Sequence, residues 1–292
     1  MKNILTVDVE EWFHPEALQH LFPRQTWHEQ PSRLVPLVEG LLDLFEEYGA
    51  RATFFVLGWV AEHHAPLIRQ MVDRGHEVAT HSYSHRMADK LNAKAFEEDL
   101  KRSVKILQDI MGKEVLGFRA PTFSVTRKTF WVFDVLAKLG LKYDSSIYPI
   151  WHDRYGVPDA PRFVFEVETH SGAKILEFPM PTLRLLGKNF PFGGGGYLRL
   201  FPLRFTMMAI RRFNKCGYPA IIYMHPWEFD DDQPKVPMGR LQALRHYGNI
   251  GKNFQKVATL LKTFEWTNFE TYFYQIKNDG TLPIKKLNID AI

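Results

Sequence analysis

Two histidines four residues apart, in the run Thr80-His81-Ser82-Tyr83-Ser84-His85, are the residues of this sequence best suited to metal chemistry. They follow a short apolar run that predicts a strand, so both imidazoles leave the strand end and enter a turn where they can face one centre. Two imidazoles and one carboxylate leave coordination positions open for water, which a catalytic metal site requires. A pair at this spacing is also typical of one core histidine and one exposed histidine, so a third ligand is needed.

Acidic residues end the first apolar run of the chain, in the sequence Asp8-Val9-Glu10-Glu11-Trp12. Ionised carboxylates avoid buried positions unless they are paired or bind a metal, which makes an apolar strand with this ending unusual. Because residues two apart on a strand share a face, we expect Asp8 and Glu10 to look into one site, while Glu11 points toward solvent. The alternative is an exposed turn that carries all three carboxylates.

Three further polar residues follow predicted strands. Arg119 has the planar guanidinium that holds a carboxylate through two hydrogen bonds. Asp144 is suited either to orient a catalytic imidazole or to form a turn. His225 ends a strongly apolar run, where an imidazole suits acid–base catalysis near neutral pH. Each residue alone is compatible with an ordinary surface or core role, but the set together indicates one catalytic site.

The hydrophobic pattern predicts a fold that brings these distant residues together. Short apolar runs alternate with helical periods, which is typical of β-then-α units around a parallel sheet. The predicted strands are Lys2–Asp8, Thr53–Leu57, His76–Thr80, Val115–Phe118, Leu141–Tyr143 and Ala220–Met224. The predicted helices are Leu34–Tyr48, Leu67–Val72, Ala95–Ile110, Lys128–Leu139, Leu203–Asn214 and Phe254–Lys262. Five polar candidates fall at strand carboxyl ends, which favours a barrel over an open doubly wound sheet.

The regular alternation stops between Ser145 and Pro202. Prolines are frequent there, and the runs Arg162–Val167 and Lys174–Phe178 predict an antiparallel hairpin within an insertion that arches over one face. The run Gly193–Gly196 predicts a flexible lid or a turn that approaches another part of the chain closely. The expected fold class is therefore α/β, a distorted (β/α) barrel of seven strands with a loop and hairpin insertion and a C-terminal extension.

Length and repeat analysis predict one domain over residues 1–292, with a core over about 1–230 and an extension over about 231–292. The chain shows no internal repeat and no low-complexity linker. A chain of 292 residues buries most of its apolar surface, so its stability does not require disulfides or oligomerisation. The oligomeric state itself is not predicted.

The composition excludes several functional classes. The net charge is +4, with lysines and arginines scattered along the chain, a weaker signal than nucleic-acid binding leaves. The single cysteine, Cys216, rules out an intrachain disulfide and a thiolate metal cluster. The apolar run of Met1–Val7 is too short for a secretory signal, and no segment has the length of a transmembrane helix. We therefore expect a cytoplasmic protein without a nucleic-acid partner.

The order and strand-end positions of these motifs resemble the polysaccharide deacetylases, also known as the NodB-homology group or carbohydrate esterase family four. The metal histidines of that family occur as H-[ST]-x-x-H, and residues 81–85 match every defined position. Its arginine–proline loop is similar to Arg119-x-Pro121, and its late strand ending in a histidine is similar to the run into His225. The resemblance covers about residues 1–230.

Several positions depart from the common pattern of that family. Many members carry adjacent aspartates where this chain has Asp8-Val9, so the D-x-D/E spacing of a divergent branch fits better. Thr122 stands where an aromatic residue usually follows the proline, and the acid–tryptophan pair of the fourth motif is absent, so Asp144 is assigned there by position alone. The runs Trp151–Gly156 and Gly193–Gly196 look like the subgroup found with exopolysaccharide and exosortase gene clusters.

The resemblance implies a metal-dependent hydrolase that removes N-acetyl groups from an N-acetylhexosamine polysaccharide or its precursor, free or lipid-linked. It implies that Glu10, His81 and His85 hold a divalent metal, for which Zn²⁺ is preferred and Co²⁺, Ni²⁺ and Fe²⁺ are alternatives. It further implies that Asp8 is the base that takes the proton of the metal-bound water and that Arg119 pairs with this base. It implies that the backbone of Thr122 donates to the oxyanion and that His225 is the acid that protonates the leaving amine. Asp144 is then the carboxylate that orients His225.

Aromatic and basic residues near the predicted rim suggest how a sugar is held. We expect Trp12, Tyr148 and Trp227 to offer ring faces to a saccharide. A group of basic residues in the second half forms either a patch for a diphosphate-lipid carrier or, preferably, an ordinary solvated face. This group comprises Arg240, Arg245, His246, Lys252 and Lys256.

Three other functions are compatible with parts of this pattern. The same metal and base on the same scaffold would suit an amidohydrolase that opens a cyclic imide or ureide, for which we expect a closed pocket in place of a groove. Two histidines and a carboxylate also serve non-haem iron oxygenases, although the β/α alternation and the acid–base set argue against that class. A non-catalytic sugar-binding module is the third alternative, and the complete acid–base set argues against it.

Overall fold

Seven parallel strands lie side by side in the computed structural model of this chain, which describes residues 1–152, 154–280 and 285–288. Within these residues the strands, in chain order, are β1 (Asn3–Val9), β2 (Ala52–Val56), β3 (Glu77–Thr80), β4 (Gly117–Phe118), β5 (Tyr143–Asp144), β6 (Phe165–Glu168), β7 (Lys174–Glu177), β8 (Thr182–Leu185), β9 (Lys188–Pro191), β10 (Ile221–Met224), β11 (Trp266–Thr267) and β12 (Lys285–Asn288). The parallel set has the order β10-β1-β2-β3-β4-β5-β7. The predicted number of barrel strands is confirmed.

Helices follow most of the parallel strands, and several pack against the sheet. Over the described ranges they are α1 (Leu34–Glu47), α2 (Gly58–His63), α3 (Ala65–Asp73), α4 (Ala93–Met111), α5 (Val132–Lys138), α6 (Gly196–Leu200), α7 (Leu203–Asn214), α8 (Arg240–Tyr247), α9 (Asn253–Thr263) and α10 (Phe269–Asp279). Single 3-10 turns, Pro121–Phe123 and Pro226–Phe229, come shortly after β4 and β10. Of the helices in the described ranges, none combines the length and apolar character that crossing a bilayer requires.

The first strand shows why the parallel strands are apolar on both faces. Leu5 and Val7 point outward into the large core cluster that the helices share with the sheet. Ile4, Thr6 and Asp8 alternate with them and point inward. Because helices cover one face and the barrel interior covers the other, both faces of β1 are buried.

The sheet curls into a distorted barrel. The guanidinium of Arg119, directly after β4, lies 4.2 Å from the ring centre of Phe55 on β2 and 5.9 Å from that of Tyr223 on β10. Side chains from well-separated strands therefore meet in the interior. Among the residues described, no hydrogen-bonded ladder joins β7 to β10, and beside β10 the ring of Tyr218 stacks on Phe163 at 4.1 Å. The predicted (β/α) barrel is confirmed, with side-chain packing where a closing ladder would lie.

The predicted hairpin exists, but its assignment to an insertion is wrong for one strand. β6 and β7 pair antiparallel as expected, yet β7 also pairs in parallel with β5 and so supplies the seventh barrel strand. Periodicity reports which face of a strand is buried and not which neighbour it pairs with.

The predicted helix Lys128–Leu139 is a 3-10 turn at Arg127–Thr129 followed by α5. The β8–β9 hairpin and the helices α2, α6 and α8 were not predicted, since such short elements contain too few periods.

The glycine run forms the close approach that its composition predicts. The carbonyl of Gly193 accepts a hydrogen bond from Tyr223 N at 2.8 Å, and Gly195 N donates to the carbonyl of Tyr223 at 3.1 Å. Gly194 lies between them with a φ of +148°. The run therefore docks on β10 and leads into α6, which contradicts the alternative of a free lid.

Most of the expected C-terminal extension packs on the barrel. Phe269, the first residue of α10, is fully buried in the interior cluster. The buried carboxylate of Glu77 on β3 accepts hydrogen bonds from Tyr143 Oη at 2.6 Å and from Glu270 N at 2.8 Å, so it ties α10 to the floor of the barrel. Asp153 of the run Trp151–Gly156 and residues 281–284 and 289–292 of the extension lie outside the described residues.

Replacing Gly194 with alanine tests this docking. A Cβ at that position would overlap the carbonyl of Tyr223, and its φ is one that residues with a side chain rarely adopt. We expect Gly194→Ala to lower the free energy of unfolding by about 2–4 kcal/mol in urea titrations. The control is Gly40→Ala in α1, where a Cβ meets no atom within 4 Å and should stabilise the protein by up to ~1 kcal/mol. Equal stability of the two variants would contradict the observed contact.

Candidate metal centre and active site

The loop after β3 carries both histidines of the predicted metal pair. Ser82 and His85 have positive φ values of 69° and 52°, which turn the chain sharply enough to bring both rings to one side. The carboxylate of Asp99 on α4 holds this loop by accepting a hydrogen bond from Tyr83 N at 2.8 Å. The rings of His81 and His85 are 5.4 Å apart between centroids, and both residues are buried.

One carboxylate oxygen of Glu10 lies against both imidazoles. Its Oε1 is 3.2 Å from His81 Nε2 and 2.9 Å from His85 Nε2. These three side chains form a group whose candidate ligand atoms all lie within 4.8 Å of one another. The third ligand that the histidine pair needs is therefore present, and it comes from the end of β1 as expected.

The hydrogen bonding of His81 fits a bound cation. Its Nδ1 lies 2.8 Å from the carbonyl oxygen of Arg119, which can only accept a hydrogen bond, so Nδ1 carries the proton. In the neutral ring, Nε2 then presents a lone pair toward the carboxylate oxygen of Glu10. The Nε2 lone pair and the carboxylate oxygen repel each other at this distance unless a cation or a proton lies between them. Such a bond from the remote ring nitrogen to a carbonyl is typical of metal-ligating histidines.

The environment of Glu10 keeps it ionised. Burial raises the pKa of this carboxyl, but the neighbouring imidazoles of His85, His225 and His81 lower it and outweigh burial. Its pKa consequently lies well below the ordinary value. An ionised carboxylate and two imidazoles form a donor set that suits zinc and its neighbours in the transition series.

Asp8 and Arg119 form a buried ion pair beside this donor set. Arg119 Nη1 donates to Asp8 Oδ1 at 2.7 Å and to Thr6 Oγ1 at 2.8 Å. Its Nε and Nη2 donate to the carbonyl and the hydroxyl of Ser145, both at 3.1 Å. Arg119 is wholly buried, so these bonds replace its hydration and fix the direction of the Asp8 carboxylate.

His225 completes the group from the opposite side. Its Nε2 lies 3.9 Å from Asp8 Oδ2 and 3.9 Å from Glu10 Oε1. Burial lowers the pKa of His225, but the charge of Glu10 and the interaction with Glu228 raise it to about 9. The ring can therefore carry a proton close to both carboxylates.

Glu228 is a functional candidate that the sequence reasoning missed. Its Oε2 lies 3.5 Å from His225 Nδ1 and accepts a hydrogen bond from His225 N at 3.1 Å. Arg199 Nε donates to Glu228 Oε1 at 2.8 Å. Burial raises the pKa of Glu228, but Arg199 and His225 lower it to about 2. The spacing His225-x-x-Glu228 after a strand is a capping-box pattern that could have indicated this contact, whereas Arg199 has no local signal.

Asp144, by contrast, does not orient His225. Its carboxylate is buried, accepts a hydrogen bond from Ser146 Oγ at 2.5 Å and interacts with Glu177. Burial raises the pKa of Asp144 to about 6, and burial together with the charge of Asp144 raises the pKa of Glu177 well above its ordinary value. Among the described residues, the carboxylate that lies against His225 Nδ1 is that of Glu228, at 3.5 Å, so the expected role of Asp144 is wrong.

The position of Asp144 instead supports the loop after Arg119. The Ser146 hydroxyl that donates to Asp144 accepts a hydrogen bond from Ala120 N at 2.7 Å. Two residues later, Thr122 has a φ of +56°, which is uncommon for a residue with a branched side chain. Strained backbone of this kind is found at functional sites that the surrounding structure holds in place. Thr122 also lines the groove beside the site.

The expectation for Glu11 is also wrong. Glu11 is buried, and its carboxylate accepts hydrogen bonds from Ser32 Oγ and, at 3.1 Å, from Arg33 N. Burial raises the pKa of Glu11. These hydrogen bonds connect the chain directly after β1 to the residues directly before α1.

Two of the three expected sugar-binding aromatics are core residues. Trp12 is 3% exposed in a cluster with Phe13 and donates to the carbonyl of Pro31 at 3.0 Å. Tyr148 is fully buried among other aromatic rings. Neither offers a face to a sugar, since both pack beneath the rim loops. Trp227 is 6% exposed, and its ring stacks on that of His225 with centroids 5.0 Å apart.

The observed arrangement combines the elements that hydrolysis of an amide requires. A potential metal site, a paired carboxylate and a protonatable imidazole lie within 4 Å of their neighbours, and they come from β1, β3 and β10. Thr122, in the loop after Arg119, also lines a neighbouring groove. A metal-bound water beside a carboxylate and an acid is a common arrangement for metal-assisted hydrolysis.

Comparisons with known proteins match this architecture in two parts. Residues 25–143 match a family model described as polysaccharide deacetylase, and residues 145–274 match a model described as a domain of unknown function (DUF3473). The first part contains both loop histidines and Arg119, whereas the second contains His225. The carboxylates at the end of β1 precede both matches.

Individual relatives each match about a third of the chain. A peptidoglycan deacetylase of Helicobacter pylori is 37% identical over 107 residues, which are 37% of this chain and 36% of that protein. A peptidoglycan-N-acetylglucosamine deacetylase of Bacillus cereus is 33% identical over 81 residues, which are 28% of this chain and 38% of that protein. The matches thus span little more than a third of these relatives.

One solved structure resembles nearly the whole chain. The crystal structure of a putative polysaccharide deacetylase from Mycobacterium smegmatis superimposes with a TM-score of 0.60 at 19% identity. The superposition covers 97% of this chain and 93% of that one. This likeness supports the distorted (β/α) barrel.

Zinc binding tests the proposed ligand set. We expect the metal-free protein to bind one Zn²⁺ in a calorimetric titration, and Glu10→Gln to weaken binding by about 100-fold or more, since the substitution removes the anionic ligand. Glu11→Gln is the matched control, because it changes the adjacent buried carboxylate and should leave zinc affinity unchanged. Equal affinities for the wild type and both variants would contradict the assignment of Glu10.

Proposed function

We propose that this chain, whose residues 25–143 match a family model described as polysaccharide deacetylase, is a metal-dependent hydrolase that removes N-acetyl groups from N-acetylhexosamine units of a polysaccharide or its precursor. The proposal rests on three groups of side chains that lie next to one another at the carboxyl ends of the barrel strands. They are the group Glu10–His81–His85, the Asp8–Arg119 pair and the His225 imidazole. No single one of them is specific, but hydrolysis of an amide uses all three.

Glu10, His81 and His85 would hold the divalent cation. Two imidazole nitrogens and one carboxylate oxygen suit Zn²⁺, with Co²⁺, Ni²⁺ and Fe²⁺ as alternatives. When bound, such a cation polarises the acetamide carbonyl and makes water a nucleophile at neutral pH. The bond from His81 Nδ1 to the carbonyl of Arg119 orients one ligand ring for this purpose.

The protein's own groups move the protons of the reaction. Asp8, held by Arg119, takes a proton from the attacking water. The backbone N–H of Thr122 donates to the oxyanion of the tetrahedral intermediate. His225 gives its proton to the leaving nitrogen, so the C–N bond breaks to acetate and a free amino sugar. Glu228 keeps the His225 ring oriented and favours its protonated form.

The relatives' names and the shape of the site support a saccharide substrate. The similar proteins from Helicobacter pylori and Bacillus cereus are named for deacetylation of peptidoglycan. A groove, which suits a chain of sugars better than a small closed ring, runs from Thr122 past α8. These observations favour an N-acetylated saccharide over a cyclic imide or ureide. Within this proposal the substrate is a polymer intermediate, free or attached to a lipid carrier, of the exopolysaccharide type.

Acetate release tests the proposed function. We expect the zinc-loaded protein to release acetate from at least one substrate in a panel of N-acetylhexosamine oligomers and lipid-linked precursors, and a chelator to stop the release. Asp8→Asn and His225→Ala should each reduce kcat about 10²- to 10⁴-fold with zinc content unchanged, because each removes a proton-transfer group. Asp43→Asn, an exposed carboxylate on α1 that pairs with Arg74, is the control and should retain full activity. Near-normal turnover in either active-site variant would refute its assigned role.

Glu228 should matter for turnover and not for metal binding. We expect Glu228→Gln to lower kcat about 10- to 100-fold, since the His225 ring loses its charged partner, and Glu228→Asp to recover part of this loss. Zinc affinity and KM should change little. Asp230→Asn is the matched control, because Asp230 is a nearby buried carboxylate whose partner is Arg33. The same kcat loss in both variants would mean that Glu228 has only a structural role.

A further inference from the structure

A groove of about 620 Å³ lies beside the proposed catalytic centre. Thr122 and His246 both line this groove. The ring of His246 lies on Trp227 with centroids 4.8 Å apart, and Trp227 in turn lies on His225 at 5.0 Å. A saccharide whose acetamide reaches the catalytic centre would therefore extend along this groove.

Three arginines surround this groove. Arg154 comes from the loop before β6, and Arg240 and Arg245 come from the two ends of α8. All three are exposed, and in the described residues none of their guanidinium groups forms an ion pair with a carboxylate. The described lining residues include no aspartate or glutamate. Among the described lining residues, the groove wall therefore has three arginine charges and no carboxylate to balance them.

The wall that carries two of these arginines is fixed to the catalytic centre. The buried guanidinium of Arg199 donates to the carbonyl of Arg245 at 2.8 Å and to that of Gly248 at 2.7 Å, at the end of α8. The same guanidinium donates to Glu228, the partner of His225. Because one buried side chain joins the backbone at the end of α8 to Glu228, α8 is held beside the proposed catalytic centre.

The facing wall offers an aromatic surface. The rings of His152 and Tyr155 stack with centroids 3.9 Å apart, and Tyr155 lies parallel to Tyr148 behind it at 5.9 Å. Tyr155 and His152 both line the groove, whereas Tyr148 is buried. The wall that carries Arg154 is therefore partly aromatic.

We propose that this groove binds a negatively charged unit of the substrate, either a carboxylate or a phosphate group, next to the N-acetylated sugar. The inference rests on the proposed function for the reaction at the metal centre, but the binding itself requires no turnover. Guanidinium groups hold carboxylates and phosphates through paired hydrogen bonds, and a concave surface of one charge attracts the opposite charge. Burial lowers the pKa of His246 to about 4, so His246 adds no positive charge to the groove at neutral pH. A merely solvated face would show no preference between neutral and anionic sugars.

Binding of three defined oligosaccharide probes to the protein tests this inference. The first is the neutral tetramer of N-acetylglucosamine, the second is a tetramer that alternates N-acetylglucosamine with glucuronic acid, and the third is N-acetylglucosamine linked to a nucleoside diphosphate. Dissociation constants are measured calorimetrically at low and at high salt. The second and third probes distinguish a carboxylate site from a phosphate site.

We expect at least one anionic probe to bind about tenfold more tightly than the neutral tetramer at low salt, and this preference to shrink at high salt because the arginines are exposed. Arg240→Gln/Arg245→Gln should bring the ratio of the dissociation constants close to one. Arg69→Gln/Arg212→Gln, which removes two exposed arginines from α3 and α7, is the matched control and should leave the ratio unchanged.

Equal affinities for the neutral and anionic probes would overturn the proposal, as would the same change of ratio in both double variants. Failure of the proposed function has a different signature. In that case, no N-acetylated substrate releases acetate in the presence of zinc, while the preference for anionic probes persists. Loss of the preference with acetate release intact identifies failure of the groove assignment alone.

Discussion

The wholly buried guanidinium of Arg119 is the charge around which the inside of this barrel is organised. An unpaired buried cation is strongly destabilising, so its N–H groups need partners on every side. They donate to Asp8 and Thr6 on β1 and to Ser145 after β5, and the backbone carbonyl of Arg119 accepts from the His81 ring. Arg119 thereby sets the direction of Asp8, the proposed base, and of His81, a proposed metal ligand, because the same hydrogen bonds satisfy its polar groups and orient these two side chains.

The site is assembled from three stretches of chain. The end of β1 supplies both carboxylates, the region that matches the polysaccharide deacetylase family supplies the loop histidines and Arg119, and the region that matches a domain of unknown function supplies His225. That last region also supplies Glu228 and Arg199, which connect the His225 imidazole to α8 and its groove. This region therefore contributes to the site itself. It provides the proposed acid, the residue proposed to orient that acid, and one wall of the proposed substrate groove.

The sequence predicted the strand-end residues well because their signal is local. A polar group at the end of an apolar strand has few structural explanations, and Glu10, His81 and His85 lie together as expected. Partners that depend on tertiary packing could not be read in this way. The ring partner of His225 was assigned to Asp144 by position, whereas the fold puts Glu228 there. Trp12 was assigned to sugar binding because it follows a rim strand, but the chain turns inward at that point and buries it. β7 has the pattern of a hairpin strand, and only its pairing with β5 shows that it belongs to the barrel.

We propose above that Glu10, His81 and His85 together bind one cation beside Asp8. Anomalous diffraction from crystals of the zinc-loaded protein tests it most directly, because the zinc signal locates the ion without any assumption about its ligands. We expect one strong peak at about 2.0–2.2 Å from His81 Nε2, His85 Nε2 and a carboxylate oxygen of Glu10. A fully loaded protein whose zinc lies elsewhere, with these three side chains bonded only to one another, would contradict it.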